Sequence, residues 1–303
     1  MALLEWIESK GLKVSTIEHG GESVLLIGSE ENQAVMVAFK GVDTLWDILH
    51  TLRATPVPAP LGGTYAQSID LSLTKLSRGN SLGDKALDEI LQLRIIRHIP
   101  DTIISRGNSL MDKITAAALQ VTGAQDIHDV KFGVSGFSYG GALAQGYAAH
   151  LAQQGLKLSG LYAFAAPAIG DKAFVKTFEA WANNNNADFI RIDRDKDPVP
   201  STAEYAEFLS QQIILKPDGA SCLLHNRPAT GPSEAWVAKL NTIIHLLKPA
   251  QGDHNFGLYE LELDEVTAPL KQCAIDPTPL NQNDIRNAIT PASPHQTVAE
   301  INP

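Results

Sequence analysis

The sequence predicts an α/β fold built on a largely parallel sheet, and three observations predict it. Apolar, strand-like runs alternate with helix-like patterns through most of the 303 residues, as in proteins whose parallel strands are joined by helices. Apolar residues make up 44% of the chain and charged residues 19%, a balance that buries a sizeable core. A Gly-Phe-Ser-Tyr-Gly turn stands between a strand pattern and a helix pattern, where sheets of this class bind ligands.

The amino-terminal region predicts a short helix followed by three strands. The helix is amphipathic, covers residues 2–10 and ends at Gly11. Residues 54–64 are rich in proline and glycine and predict a loop, after which a helical zone extends to about residue 122. The three strands, separated by turn sequences, are predicted at 12–17, 23–27 and 33–39.

The region after the Gly-Phe-Ser-Tyr-Gly turn predicts alternating helices and strands. Asp171 is placed to cap one helix, and the four asparagines at 183–186 predict a polar loop. Lys216-Pro-Asp-Gly219 is a hairpin signal between the last two strands. Strands are expected at 158–166, 188–193, 213–215 and 222–224, and helices at 141–155, 171–181 and 233–247.

The charge balance argues against two classes of partner. The formal net charge is −10, which argues against nucleic-acid binding because that needs patches of Lys and Arg. The same charge predicts weak attraction to anionic membranes. No uncharged apolar stretch approaches about 18 residues, so no transmembrane helix is expected.

The amino terminus and the cysteines bear on location. Residues 1–10 lack a basic segment and a long apolar core, so they do not resemble a secretory signal peptide. We expect a cytoplasmic protein, with export by a route that needs no signal peptide as the alternative. Cys222 and Cys273 make no metal-ligand spacing, and a cytosolic chain would leave them reduced; their pairing is the alternative.

The most informative turn is Gly136-Phe137-Ser138-Tyr139-Gly140. A strand, the pattern G-x-S-x-G and a helix are the context of a nucleophile elbow, in which a strained turn exposes a serine hydroxyl. A side chain at 136 or 140 would collide across such a turn. The alternative is a surface turn with a capping serine.

A serine hydroxyl needs a base, and that base needs a carboxylate to orient it. In hydrolases with this elbow the chain order is Ser, Asp or Glu, then His. Asp197 is the candidate acid because it stands in a loop after a strand, and Pro198 disfavours helix at that point. Asp193 and Asp195 are alternative acids in the same segment. If they are not catalytic, they are expected to face solvent or to pair with the neighbouring basic residues.

Four histidines follow the candidate acid. His254 is the candidate base because it stands in a loop after a helix. His245 lies inside the predicted helix and His295 lies in a polar segment, while His225 begins a loop after the hairpin.

Five short segments resemble motifs of the class 3 (fungal-type) lipases, in the correct order over about residues 33–260. The elbow resembles that family's G-H-S-L-G-G-A-L-A sequence. The resemblance implies an α/β-hydrolase sheet and hydrolysis of carboxyl esters of lipids or of small acyl substrates, without a metal or organic cofactor. The other segments are Val37–Val42 (F-R-G-[ST]), Phe164–Asp171 (F-G-x-P-x-x-G), Asp197–Pro200 (D-x-V-P) and His254–Tyr259 (an H-x-x-x-Y type ending).

The resemblance also indicates the oxyanion hole. The residue after the nucleophile, Tyr139, supplies one backbone N–H, and by resemblance Val42 supplies the other. The chain departs from the family at several of these positions. Phe137 and Tyr139 replace His and Leu, Lys40 replaces Arg, and Val42 lacks the usual hydroxyl.

The resemblance divides the chain into a hydrolase domain over 1–266 and a polar, proline-rich tail over 267–303. A helical insertion at about 66–107 precedes the elbow. Its apolar stripe is expected to pack on the core, and a lid over an acyl pocket is the alternative. Three functions remain open: an esterase or lipase that uses an acyl-enzyme, a phospholipase A or lipid acyltransferase with the same triad, and a catalytically silent binding protein.

Overall fold

The computed structural model describes residues 3–19, 22–41, 56–66 and 110–203, together with 206–207, 209, 211–216, 221–225, 238, 259, 262 and 271–273. The predicted insertion at about 66–107 lies almost entirely outside these residues. Most of the predicted helix at 233–247 and most of the tail at 267–303 lie outside them as well. The division into a domain and a tail therefore stays a prediction.

The described strands, numbered along the chain, match the expected pattern closely. They are β1 (Lys13–His19), β2 (Glu22–Ser29), β3 (Ala34–Phe39), β4 (Pro56–Pro58), β5 (Thr64–Ala66), β6 (Lys131–Phe137), β7 (Lys157–Phe164), β8 (Asp188–Arg194), β9 (Gln211–Leu215), β10 (Cys222–His225) and β11 (Lys271–Gln272). Strands β4 and β5 correct the prediction of a loop at 54–64, because they pair as a short antiparallel hairpin.

Four helices lie among the described residues: α1 (Leu3–Ser9), α2 (Leu110–Thr122), α3 (Tyr139–Gln153) and α4 (Lys172–Asn185). Asp171 caps α4 as predicted, since its Oδ1 accepts the backbone N–H of Phe174 at 2.8 Å. The prediction of a polar loop at 183–186 is wrong. The helix continues to Asn185, and Asn186 ends it in the left-handed conformation with φ of 52°, which asparagine tolerates better than most residues.

The sheet contains nine strands in the order β1-β2-β3-β6-β7-β8-β9-β10-β11. Strands β3, β6, β7, β8 and β9 are parallel to one another in that order, so the predicted parallel α/β sheet is confirmed. Because β6, β7 and β8 are adjacent and parallel, their carboxyl ends meet at one edge of the sheet. The residues that follow these three ends form the candidate site.

One face of the sheet packs against α2 and α3. Its buried side chains alternate along the strands and include Val24 and Leu26 of β2 and Val35 and Val37 of β3. Gly28 stands where α2 crosses closely, and a Cβ atom there would lie 2.4 Å from Cγ2 of Val121. Packing of α2 and α3 on this face holds β3 and β6, and with them the elbow, in fixed positions.

The two cysteines form a disulfide, which corrects the expectation that they are reduced. Strands β10 and β11 are parallel neighbours, with Cys222 opposite Lys271. The N–H of Cys273 donates to the carbonyl of Leu223 at 2.8 Å. This pairing brings the two Cα atoms to 5.1 Å, within the range that a disulfide requires. Lys271 and Gln272, which fall within the predicted tail, therefore belong to the sheet.

Among the described residues, no helix has both the length and the apolar character that a membrane span requires.

Candidate active site

Ser138 lies in the turn between β6 and α3, as the G-x-S-x-G pattern predicts. Its φ of 59° and ψ of −128° place a non-glycine residue in a region that L-amino acids rarely occupy. Such strain persists only where the surrounding structure enforces it. The turn therefore has the conformation of a nucleophile elbow.

Backbone collisions explain the two glycines of the elbow. A Cβ atom on Gly136 would lie 2.2 Å from the carbonyl oxygen of Gly140. A Cβ atom on Gly140 would lie 2.3 Å from the carbonyl oxygen of Phe39, at the end of β3. Neither contact relaxes through a side-chain rotation, so only glycine is compatible with this turn.

Hydrogen bonds hold the serine at the carboxyl end of β7. The N–H of Ser138 donates to the carbonyl of Phe164 at 2.8 Å, and the carbonyl of Ser138 accepts the N–H of Gly141 at 2.9 Å. Ser138 is 3% exposed.

The predicted oxyanion donors are placed in part. Tyr139 is the first residue of α3, where backbone N–H groups lack intrahelical acceptors. Gly41 passes beside the nucleophile, since a Cβ atom on it would lie 3.5 Å from Cβ of Ser138. Val42, the next residue, lies outside the described part of the chain, so its role stays a prediction.

Asp197 lies in the turn that follows β8 and is buried. Its Oδ1 accepts the N–H of Val199 at 2.9 Å, and its Oδ2 accepts the hydroxyl of Tyr259 at 2.7 Å. The N–H of Asp197 donates to the carbonyl of Arg194 at 3.1 Å. These hydrogen bonds fix the orientation of the Asp197 carboxylate in the turn after β8.

The structure separates Asp197 from its two alternatives. Asp193 is fully buried and pairs with Arg191, with Nη2 and Oδ2 3.1 Å apart. Asp193 also accepts a hydrogen bond from the side-chain amide of Gln212. Asp195 is exposed to solvent. The carboxylate of Asp193 is thus engaged by neighbours within the sheet, which leaves Asp197 as the acid that the geometry favours.

The loop after β7 contains another residue of the site with a positive φ. Ala165 has φ of 51° at the position where the family motif has glycine. Its N–H donates to the carbonyl of Ile192 at 2.9 Å. The guanidinium of Arg191 donates to the carbonyls of Ala166 and Pro167. A buried arginine therefore stabilises a backbone conformation that alanine adopts at a cost.

The candidate base is not placed. His254, His245 and His295 lie outside the described residues, and so does the side chain of His225, whose backbone pairs with Gln211 in the hairpin. His254 therefore stays a prediction. The nearest described residue that follows it is Tyr259.

Tyr259 is a site residue to which the sequence analysis gave no role. Burial, followed by the nearby carboxylates of Asp197 and Asp193, raises the pKa of Tyr259 well above its ordinary value. The phenol therefore stays protonated and donates to Asp197. The signal in the sequence was the tyrosine at the end of the H-x-x-x-Y type segment, but nothing there shows what its hydroxyl contacts.

Two further groups were also missed. Arg191–Asp193 and Arg194–Glu262 are buried ion pairs. The sequence offered one signal for the first pair. Arg191 stands between Ile190 and Ile192 in a predicted strand, and an arginine buried in a strand needs a partner. Among the described residues no group of three or more His, Cys, Asp or Glu side chains is arranged to hold a metal ion.

Comparison with known proteins gives a family and several similar folds. Residues 36–206, more than half of the chain, match the family described as Lipase (class 3). No curated protein matches the chain. The chain is similar to the Rhizomucor miehei lipase–propeptide complex, with 16% identity and a TM-score of 0.47 over 76% of this chain and 66% of that one. The chain is also similar to a lipase from Rhizopus microsporus var. chinensis, with 16% identity and a TM-score of 0.49 over 77% of this chain and 71% of that one.

Proposed function

Because the chain belongs to the class 3 lipase family, it is a serine hydrolase of carboxylic esters, and we propose that it cleaves acyl esters of lipids. Ser138, Asp197 and His254 form the catalytic triad in this proposal. The N–H groups of Tyr139 and Val42 form the oxyanion hole. No metal or organic cofactor takes part.

The reaction proceeds in two stages. Oγ of Ser138 attacks the ester carbonyl while His254 accepts its proton, and His254 then donates that proton to the leaving alcohol. Asp197 orients the imidazole and stabilises its protonated form. The two N–H groups stabilise the developing oxyanion. Water, activated by the same histidine, then releases the acyl group from the serine.

One observation carries the proposal: the strained backbone of Ser138 at the carboxyl end of β6. Strain of this kind raises the energy of the folded chain, and it clusters at functional sites. Asp197 supports the proposal because its two carboxylate oxygens accept Val199 N–H and Tyr259 O–H, which fixes its orientation.

The decisive experiment replaces Ser138 with alanine. Triad members act as a unit, so kcat for p-nitrophenyl esters is expected to fall by several orders of magnitude. A fluorophosphonate is expected to label wild type at Ser138, as read by peptide mass spectrometry. Ser159→Ala is the matched control, because Ser159 is a serine of β7 whose hydroxyl donates to the carbonyl of Phe132.

Two outcomes contradict the proposal. Near-normal turnover by Ser138→Ala removes this serine from the mechanism. A folded wild-type protein that forms no adduct favours a catalytically silent binding protein. If labelling and turnover are both found, competition between alcohol acceptors and water separates hydrolysis from acyl transfer, and phospholipid esters test for phospholipase A activity.

We propose that the substrate is presented at a lipid–water interface. The support is the burial of Ser138, which is 3% exposed, so that access requires movement. Fluorophosphonate labelling is expected to become faster when neutral lipid vesicles or detergent micelles are added. An unchanged rate removes the interface from the proposal.

We propose an oxidising compartment as the place of action, instead of the cytoplasm expected from the sequence. The support is the disulfide between Cys222 and Cys273, because disulfides persist mainly in oxidising compartments. Alkylation of free thiols, followed by intact-mass measurement on protein from cells and from the medium, tests this. Two free thiols in every fraction contradict it.

A further inference from the structure

A buried ion pair joins Arg194, the last residue of β8 before the acid loop (residues 195–198), to a distant part of the chain. Nε of Arg194 donates to Oε2 of Glu262 at 2.8 Å, and Nη2 donates to Oε1 at 2.6 Å. The contact is therefore bidentate, which fixes direction as well as distance. The two side chains are 6% and 7% exposed, although the residues lie 68 positions apart.

Arg194 also takes part in the hydrogen bonds of the acid itself. Its carbonyl accepts the N–H of Asp197 at 3.1 Å, and its own N–H donates to the hydroxyl of Tyr259 at 2.9 Å. That hydroxyl donates to Oδ2 of Asp197 at 2.7 Å. One residue therefore contacts the acid loop through its backbone and Glu262 through its side chain.

Glu262 follows Tyr259 by three positions, and both residues are helical. Residues three apart lie on the same side of a helix. Tyr259 and Glu262 thus attach this part of the chain to the end of β8 and the acid loop at two points. His254, the proposed base, precedes Tyr259 by five positions, in a segment whose ends are joined by the disulfide of Cys222 and Cys273.

We infer that Arg194 and Glu262 are positioning residues, which set the point at which the segment bearing the base meets Asp197. The inference rests on the proposed function, in which His254 is the base. A triad requires the imidazole within hydrogen-bond reach of the carboxylate. A displacement of about 1 Å at such a site costs on the order of 100-fold in rate.

An ion pair in this place contributes orientation more than stability. Removing two charges from water is costly, and apolar replacements of buried ion pairs are often equally stable or more stable. Apolar contacts are not directional, whereas a guanidinium–carboxylate pair has one preferred geometry. Replacing both partners with apolar residues therefore separates an effect on orientation from an effect on stability.

The test is the double variant Arg194→Met/Glu262→Leu in the full chain. It is expected to fold, with a Tm close to that of wild type, because both charges of the pair are removed together. Its kcat for a p-nitrophenyl ester is expected to fall by about 10- to 100-fold, while KM changes by less than about twofold. Fluorophosphonate labelling of Ser138 is expected to slow in parallel, because serine activation needs the base.

Single variants and a surface pair complete the design. Glu262→Gln keeps the shape of the side chain and a hydrogen-bond acceptor, so it is expected to retain more kcat than Glu262→Ala. The control is Asp129→Leu/Lys157→Met, since that pair is 3.8 Å apart with side chains 60% and 55% exposed. Its kinetics are expected to match wild type.

Each outcome decides the matter. A folded double variant with wild-type kcat overturns the inference. So does an equal fall in kcat/KM for Glu262→Gln and Glu262→Ala that comes from a raised KM, with kcat unchanged. If Ser138→Ala remains active, the proposed function fails instead. The two failures are therefore distinguishable.

Discussion

The elbow and the acid loop lie at the same edge of the sheet but are built in different ways. At the elbow, the contacts are between backbone atoms. The backbone of Gly140 lies so close to the carbonyl oxygens of Phe39 and Lys40 that a Cβ atom would not fit. At the acid loop, buried side chains from distant residues meet, as when Tyr259 donates to Asp197 across 62 positions. The local pattern G-x-S-x-G identifies the elbow, although Gly140 lies against the end of β3, whereas no local pattern shows which side chains meet at the acid loop.

This difference predicts whether a substitution in each region first lowers activity or first lowers stability. A collision between backbone atoms has no inexpensive relaxation, so a small change at the elbow displaces the nucleophile directly. Loss of a charged partner near the acid loop leaves another charge buried, so the cost appears first in stability. Elbow variants should therefore lose activity before they lose stability, and variants that remove only one charged partner near the acid loop should lose stability in proportion to the burial of that pair.

The largest effect is expected from Gly140→Ala. Its Cβ atom would lie 2.3 Å from the carbonyl oxygen of Phe39, so the turn that carries Ser138 must shift. Because a displacement of about 1 Å costs on the order of 100-fold, kcat should fall at least that much in a p-nitrophenyl ester assay. Gly155→Ala is the control, since it has φ of 68° and open space for a Cβ atom. It should cost about 1–2 kcal/mol of stability and leave kcat unchanged.

Asp193→Asn should give the next largest effect. It leaves the fully buried guanidinium of Arg191 without its ionic partner, and breaking a buried pair typically costs about 3–5 kcal/mol. Urea denaturation should show this loss in the free energy of unfolding. Asp195→Asn, at an exposed position, should change it by less than about 0.5 kcal/mol. Equal effects of the two substitutions would contradict the assignment of Asp193 as a structural carboxylate.

Loss of the disulfide should destabilise the segment that carries Tyr259 and Glu262. The cysteines are separated by 51 positions, and loop-closure entropy for that length corresponds to about 4 kcal/mol. Cys222→Ala/Cys273→Ala should unfold at correspondingly lower urea concentration. Reductant should move wild type toward the variant and should leave the variant itself unchanged. A reductant effect of the same size on both proteins would show that the disulfide is not its target.

The smallest effect is expected on the elbow side, from Tyr147→Phe in α3. Its hydroxyl is buried and has no hydrogen-bond partner among the described residues, so removing it should raise the free energy of unfolding by about 1 kcal/mol. Burial also raises the pKa of Tyr147. An unfolded tyrosine ionises near about pH 10, so wild type loses stability above that pH as the unfolded state releases its proton.

The variant lacks that contribution, and its stability should fall less steeply between about pH 10 and 11. Urea denaturation at pH 7 and at pH 10.5 measures both effects. A variant less stable than wild type at pH 7 would indicate that the hydroxyl of Tyr147 makes a favourable contact.

The amino-acid sequence by itself determined the order of the strands along the chain, the helix that Asp171 caps and the elbow around Ser138. Each of these depends on residues that are close in sequence: apolar periodicity, a capping side chain, and Gly136, which avoids a collision with Gly140. The sequence analysis misjudged two local features. It predicted a loop at 54–64, where β4 pairs with β5, and it predicted a polar loop at 183–186, where α4 continues to Asn185. Thr64 of that hairpin donates its N–H and its hydroxyl to Asp171, at 2.9 Å and 2.8 Å.

Only the tertiary structure distinguished the environments of Asp193, Asp195 and Asp197, because all three stand within five positions at the end of β8. Their environments differ through residues far along the chain: Gln212 engages Asp193, and Tyr259 engages Asp197. The disulfide and the Arg194–Glu262 pair were decided in the same way, by strands and helical residues that meet only after folding. Local sequence specifies backbone conformation, but the burial and partners of a charge are properties of the assembled sheet.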